Sequence, residues 1–145
     1  MTSPAASSVH VGDRLAPLHR SVPQSQIDAY AEASGDHNPI HVDAEFALSV
    51  GLPGAIAHGL LEMGILAEAL ARWAGGVDRV RSLEVRFSKP LVAGDTITCT
   101  GTVTAVDEAE GLATLEVEAT SNRGERVLTN GRARVRLDDL GVAAR

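Results

Sequence analysis

Apolar and polar residues alternate along four stretches in the second half of the chain. The apolar positions are Leu83, Val85 and Phe87; Ile97, Cys99, Val103 and Ala105; Ala113, Leu115, Val117 and Ala119; and Val127, Thr129, Ala133, Val135 and Leu137. Turn-forming residues separate the stretches at positions 93–95, 108–111 and 122–124. This period of two predicts antiparallel strands with one buried face and one wetter face.

A long helix is predicted before these strands, over residues 57–73. Its apolar residues cover nearly the whole circumference, which predicts burial on all sides. Gly64, Ala67 and Ala71 form a line of small residues along which a sheet or an acyl chain could approach. Glu68 and Arg72 mark the narrow strip of the helix that faces solvent. Four strands after one buried helix predict an α+β domain, in which a curved antiparallel sheet wraps round the helix. The open edge of that sheet would be a natural dimer seam.

The first half of the chain is expected to hold shorter elements. Residues 9–19 are predicted as a first strand and residues 25–33 as a short helix, capped from residues 21–25 and ended by Gly35. Asp43 is a predicted N-cap for a second short helix that ends near Gly51 and Pro53.

Composition narrows the class of protein. The 145 residues fit one domain, predicted over residues 9–140 after a disordered, small and polar N-terminus at residues 1–8. A net charge of −6 argues against nucleic-acid binding. Cys99 is the only cysteine, so an internal disulfide is impossible and an inert core residue is expected. With no signal peptide and no uninterrupted apolar span, we expect a cytoplasmic protein without membrane contact.

The chemistry is expected in the loop at residues 34–41. It carries two proton-handling groups, Asp36 and His41, with Asn38 and Pro39 between them and Gly35 before them. Glycine permits unusual backbone angles and proline restricts them, so the loop should hold its acid and base in one arrangement. A turn-forming aspartate and a surface histidine are the simpler alternative for these two residues alone.

Two further side chains are candidates for lesser roles. His58 is expected to shape the loop before the long helix or to contact substrate. Lys89 could bind a pantetheine or nucleotide phosphate, or be an ordinary surface lysine. No metal site is expected from Asp36, His41 and His58. A catalytic zinc ion requires three firm ligands that are held in place by further hydrogen bonds, and the sequence offers no residues for those bonds. No cofactor is expected.

Taken together, the motifs resemble a known family. Tyr30 and Ala31, residues 34–36 and 38–41, and then Ala57, His58 and Gly59 opening a long apolar helix are similar to the MaoC-like, (R)-specific enoyl hydratase family. The resemblance extends over about residues 11–137 and implies the hot-dog fold. Within the family, the chain resembles the catalytic subunit of (3R)-hydroxyacyl-carrier-protein dehydratases, such as the β subunit of the mycolic-acid dehydratase.

The resemblance also implies an activity and a site. It implies a hydro-lyase that interconverts (3R)-hydroxyacyl and trans-2-enoyl thioesters of coenzyme A or a carrier protein. Asp36 and His41 would be the catalytic pair, Asn38 would brace the loop, and the Gly59 N–H would bind the thioester oxygen. Some relatives carry a hydroxyl on the long helix that orients the aspartate, whereas this chain has Ala67 there.

Two other functions stay open from sequence. An acyl-thioester hydrolase is one, because similar folds serve that reaction. An acyl-binding subunit of a heterodimeric dehydratase is the other, although such a subunit should lack the acid/base pair. The partner would be a second copy of the chain or a second hot-dog subunit.

Overall fold

The computed structural model of the chain describes residues 8–137. Most of the predicted disordered N-terminus, residues 1–7, and the end of the predicted domain, residues 138–140, lie outside the described residues. No helix among the described residues is long and apolar enough to cross a membrane.

Four helices occupy the first half of the chain. They are α1 (Gln24–Ser34), α2 (Pro39–Val42), α3 (Ala44–Ser49) and α4 (Gly59–Ala74). Gly35 ends α1 in the left-handed conformation at φ 80°, where glycine carries little steric cost. The Asp43 side chain accepts the Phe46 N–H and caps α3, as predicted. The predicted side-chain cap of α1 was wrong: Pro23 is its N-cap and makes no side-chain cap hydrogen bond.

One antiparallel sheet of five strands packs on α4. The strands are β1 (Leu18–Ser21), β2 (Val80–Phe87), β3 (Thr96–Asp107), β4 (Leu112–Ser121) and β5 (Arg126–Arg136). Their order across the sheet is β1-β3-β4-β5-β2, so β2 is an edge strand paired on one side by β5. The predicted wrapping of a sheet round one long helix is confirmed, because α4 contacts strands from both edges and from the middle of the sheet.

The predicted first strand at residues 9–19 was largely wrong. The strand is Leu18–Ser21, and before it the chain makes a turn at Gly12 and one isolated bridge between Arg14 and Thr102. Pro17 cannot donate a backbone hydrogen bond, so regular pairing begins only after it.

Irregularities in the sheet shift its inward-facing residues. A break in register between Val103 and Ala105 leaves Ala105 exposed, against the sequence pattern. In β5, Asn130 has a φ of 50° and the register slips nearby, so the neighbouring residues Val127 and Leu128 are both buried. A bulge inserts one extra residue, and this reverses which face each following side chain takes.

Helix α4 is buried on one side, not on all sides. The buried residues of its inward face are Leu61, Glu62, Ile65, Leu66, Ala69, Leu70 and Ala74. Leu60 is 62% exposed and Gly64 is exposed as well. The prediction of complete burial fails because the sheet covers one face of the helix in a single chain.

Candidate active site

The loop between α1 and α2 is ordered by hydrogen bonds within itself. Oδ1 of Asp36 accepts the Asn38 N–H at 3.2 Å, and the Ser34 hydroxyl oxygen accepts the Asp36 N–H at 3.1 Å. Oδ1 of Asn38 accepts the Ile40 N–H at 3.2 Å and caps α2. These contacts leave Oδ2 of Asp36 directed at His41. A backbone N–H of the loop therefore orients the carboxylate, although Ala67 supplies no hydroxyl.

The ring of His41 is fixed in one orientation and one tautomer. Its Nδ1 lies 2.8 Å from the Ile56 carbonyl oxygen, and a carbonyl can only accept, so Nδ1 carries the proton. The other nitrogen, Nε2, then holds a lone pair and lies 3.8 Å from Oδ2 of Asp36. The Gln24 side chain donates to the His41 carbonyl oxygen at 2.8 Å and ties this turn to α1.

His58 supports both members of the pair from behind. Its ring stacks on the His41 ring, with centroids 3.8 Å apart, and the Tyr30 ring packs against the His58 ring at a centroid distance of 4.7 Å. The Nε2–H of His58 donates to the Asp36 carbonyl oxygen at 3.0 Å. His58 is thus buried beneath the loop and holds its backbone.

Asp36, His41 and His58 also cluster closely enough to be tested as metal ligands. One ligand atom from each lies within 4.8 Å of the others. However, the planes of the two imidazole rings differ by only 22°. Nitrogen lone pairs lie in the ring plane, so two stacked, nearly parallel rings direct them side by side and not toward one ion about 2 Å away. The arrangement suits proton transfer better than metal coordination.

A cavity of about 270 Å³ opens beside this pair at the start of α4. His41 and Gly59 line it, together with Ile56, Phe87 and Lys89. The Gly59 N–H stands at the first position of the helix, where no carbonyl of the helix can accept it, and no acceptor for it occurs within residues 8–137. His41 and the residue that carries this unpaired N–H, at the positive end of a helix, therefore line the same cavity.

Phe87 explains why residue 59 is a glycine. A Cβ built on Gly59 would lie 3.0 Å from two atoms of the Phe87 ring. The ring covers the first turn of α4 and forms one wall of the cavity. The sequence pattern placed Phe87 on the apolar face of a strand, whereas the structure leaves its side chain 52% exposed at the cavity.

Glu62 is the residue that sequence reasoning missed. In the sequence it interrupts an apolar stretch and carries no other mark, yet it is 4% exposed and lines the same cavity. Burial raises its pKa to about 8. A signal was available: Glu62 lies three and four residues before Ile65 and Leu66, at the spacing of the buried face.

Another concavity, of about 650 Å³, lies between the segment before β1 and strands β3 to β5. Arg14, Thr102, Glu116 and Arg126 are among the residues that line it. None of the candidate site residues borders it, so its larger volume does not make it the better candidate.

The fold and the site together define a class of protein: a hot-dog domain in which Asp36 and His41 lie near the start of the central helix. The chain belongs to the MaoC-like domain family, whose pattern matches residues 7–124.

Relatives of known name agree with this family. The chain is 30% identical to an (R)-specific enoyl-CoA hydratase of Aeromonas caviae over 92% of this chain and 98% of that protein. It is 37% identical to 3-hydroxyacyl-thioester dehydratase Y of Mycobacterium tuberculosis over 75% of this chain and 35% of that protein. Another match, a probable dehydratase of Ajellomyces capsulatus, is likewise longer, and the chain spans 31% of it.

Solved structures share the fold. A MaoC-like dehydratase superposes with a TM-score of 0.90 at 32% identity, covering 94% of this chain and 43% of that one. The five-stranded sheet round a central helix is therefore the hot-dog fold that the sequence resemblance implied.

Proposed function

We propose that the protein is a hydro-lyase that interconverts (3R)-hydroxyacyl and trans-2-enoyl thioesters. The observation that supports this activity is one cavity lined by both His41 and Gly59. Nε2 of His41 lies 3.8 Å from Oδ2 of Asp36, which stands behind the lining residues, and the Gly59 N–H has no acceptor within residues 8–137. The names of the relatives point to the same reaction class.

In the dehydration direction, His41 would act as the base at C2 of the substrate. Its protonated Nδ1 is already committed to the Ile56 carbonyl, so only Nε2 can accept a proton. The base is held rigidly, because the ring is buried, stacked on His58 and bonded to the backbone. A positioned acid/base group of this kind contributes about 10²–10⁴-fold in rate.

Asp36 would serve the C3 hydroxyl. In dehydration Asp36 starts protonated and donates that proton to the departing hydroxyl, while Nε2 of His41 takes the C2 proton; in hydration the proton starts on Nε2 and goes to C2, and the Asp36 carboxylate accepts one from the adding water. The 3.8 Å gap between Nε2 and Oδ2 exceeds a hydrogen bond and leaves room for that hydroxyl between them. Asn38 contributes by capping α2 and presenting its own N–H to Oδ1 of Asp36.

The thioester oxygen would bind the Gly59 N–H. Removal of a C2 proton places negative charge on that oxygen, and a donor at a helix N-terminus stabilises such charge. Lys89 borders the same cavity with an exposed side chain. Lys89 would bind a phosphate of coenzyme A or of a carrier protein's pantetheine arm outside the reaction site.

The active form is proposed to be a dimer, with a second copy or a second hot-dog subunit. Strand β2 is an open edge, and its Leu83 and Val85 are only partly buried. Pairing of two such edges would cover these side chains. The cytoplasmic location and the lack of nucleic-acid and membrane partners stay predictions from sequence.

The test follows the loss of enoyl-thioester absorbance with trans-2-enoyl-CoA substrates of several chain lengths. We expect Asp36→Asn and His41→Ala to lower kcat by at least about 10²-fold. His37→Ala is the matched control, because His37 lies in the same loop with an exposed side chain, 3.8 Å from the Glu32 carboxylate and away from the cavity lining. Wild-type turnover in both Asp36→Asn and His41→Ala would reject the proposal. Release of free thiol without hydration would identify a hydrolase instead.

A further inference from the structure

Glu62 is a buried acid that the proposed reaction does not use. It lies on the inward face of α4, one turn after Gly59, and shares the cavity with His41. The remaining wall near it is largely apolar, formed by Leu52, Ile56 and Val127 among others.

The Glu62 carboxyl has no partner within residues 8–137, neither a hydrogen bond nor an ion pair. The other acid on the body of α4 behaves differently: Glu68 lies 2.8 Å from Arg20 and 2.6 Å from Arg72. Because burial raises its pKa to about 8, Glu62 is mainly a neutral carboxylic acid at pH 7. It can then donate one hydrogen bond and accept others.

A polar group of this kind changes what the cavity can bind. An unsubstituted alkyl chain would displace water from the carboxyl and leave it unpaired in apolar surroundings. A chain with an oxygen at the right depth would replace that water with a hydrogen bond. Sites built around a buried polar group discriminate strongly against analogues that cannot pair with it.

We propose that Glu62 makes this cavity selective for acyl thioesters whose acyl chain carries a further hydroxyl or carbonyl oxygen, beyond C3. That oxygen takes a hydrogen bond from the Glu62 carboxyl. The inference rests on the proposed function, since it assigns the acyl chain to this cavity. A cationic substituent fits less well, because it would require the charged carboxylate that burial disfavours and because Lys89 already borders the cavity.

The experiment compares trans-2-hexenoyl-CoA with its 5-oxo and 6-hydroxy derivatives. We expect wild-type kcat/KM to be about 10- to 100-fold higher for the better oxygenated substrate than for the alkyl one. Glu62→Leu should reverse this preference, whereas Glu62→Gln should keep it, since an amide still donates. Glu68→Gln is the control for loss of an acid from the exposed part of the same helix, and it should leave the ratio unchanged.

A pH series adds a second readout. Raising the pH from 7 to 9 should lower the wild-type preference for the 5-oxo substrate several-fold, because a carboxylate cannot donate to a ketone. The preference for the 6-hydroxy substrate should persist. In Glu62→Gln, both preferences should stay the same between pH 7 and pH 9. His41 and Lys89 in the cavity and Cys99 on β3 also face this region, and the pKa of Cys99 is raised to about 12 by burial. Their effects fall on all three substrates and cancel in the ratios.

The outcomes separate the two proposals. An alkyl preference in the wild type, an unchanged ratio in Glu62→Leu, or an equal loss of kcat for all three substrates would overturn the role given to Glu62. No turnover of any substrate would reject the hydro-lyase. In that case, calorimetric binding of hexanoyl-CoA and 5-oxohexanoyl-CoA to wild type and Glu62→Leu still decides the role of Glu62, and equal or absent binding of both overturns it.

Discussion

Two carboxyl groups of this chain, Asp36 and Glu62, have different surroundings. The Asp36 side chain is 53% exposed, and its Oδ1 accepts a backbone N–H. Glu62 is enclosed, lacks a partner among residues 8–137, and is held neutral at pH 7 by burial. The proposed enzyme therefore has an accessible acid in the loop and a buried, neutral donor on the helix.

Replacement of Glu62 by glutamine should stabilise the protein at alkaline pH. The pKa of Glu62 is raised from 4.5 to about 8 in the folded state, so folded protein binds more protons than unfolded protein between these values. Wild-type stability should therefore fall as the pH rises from about 4.5 to 8. At about 1.36 kcal/mol per pKa unit, the free energy of unfolding can fall by at most about 5 kcal/mol over this range. Because the protein relaxes round the charge, we expect Glu62→Gln to raise the free energy of unfolding by about 1–3 kcal/mol at pH 9. Urea unfolding at pH 5 and pH 9 measures this, and equal differences at both would contradict it.

Replacement of Asn38 by alanine should affect both stability and rate. Loss of the Asn38 cap on α2 should cost about 1 kcal/mol and loosen the loop that orients Asp36. Asp43→Ala removes an equivalent cap from α3 without touching the Asp36 loop. Thermal unfolding should shift similarly in both variants, while kcat should fall only in Asn38→Ala. A similar kcat in the two variants would argue against the bracing role.

At the scale of elements, α4 organises the molecule. Its N-terminus presents Gly59 to the cavity, its inward face fills the core, and Glu68 ties it to β1 through Arg20. The helix is therefore both the core of the sheet and one wall of the proposed site.

Two glycines of α4 should respond differently to alanine. In Gly59→Ala the new methyl group would lie 3.0 Å from the Phe87 ring, so the ring must move; we expect a loss of about 1–3 kcal/mol and at least tenfold lower kcat/KM. Gly64 has no atom within 4 Å of a built Cβ, so Gly64→Ala should gain about 0.5–1 kcal/mol from helix propensity. Calorimetric unfolding and the hydration assay test the pair. A Gly59→Ala variant with full activity would contradict the claim that Phe87 excludes a side chain at residue 59.

The Arg20–Glu68–Arg72 bridge should stabilise the packing of β1 on α4. The Arg20 hydrogen bond lowers the pKa of Glu68, so this contribution is present above about pH 4.5 and is lost as the pH falls through the lowered value. Because the three side chains are partly exposed, we expect Glu68→Gln to cost only about 0.5–1 kcal/mol at pH 7, and less in high salt. Glu118→Gln, which breaks the exposed pair with Arg126, should cost less. Unfolding at low and high salt compares them, and a larger cost in high salt would contradict the bridge.

At the scale of the whole molecule, the edge of the sheet formed by β2 is open to pairing. Strand β2 has a partner on one side, and the apolar side chains of Leu83 and Val85 are half-covered. We expect a native mass of twice 15.1 kDa by light scattering, or a heterodimer when a partner is co-expressed.

Leu83→Glu should dissociate the homodimer, because a charge would enter the seam. Val11→Glu, at an exposed position far from β2 in sequence, should leave the mass unchanged. A monomeric wild type that is fully active, or a Leu83→Glu variant that stays dimeric, would place the seam elsewhere.

Much of this architecture was determined by the sequence alone. The alternation of side chains predicted β2 to β5, and the apolar run predicted α4. The glycine and proline pattern predicted the ordered segment of Asp36 and His41, although only residues 35–38 of it are loop and His41 lies in the short helix α2. These features depend on residues close together in the chain, so local periodicity and turn chemistry are enough to find them. The family resemblance followed from the same local motifs.

Other features were decided only by the tertiary structure. Sequence could not tell which face of α4 the sheet covers, where bulges reverse the pattern in β3 and β5, or that Ile56 fixes the tautomer of His41. It also left Glu62 as an ordinary helix residue. Each of these depends on a contact between segments far apart in the chain, and such contacts determine how deeply a charge is buried and which polar atoms find partners.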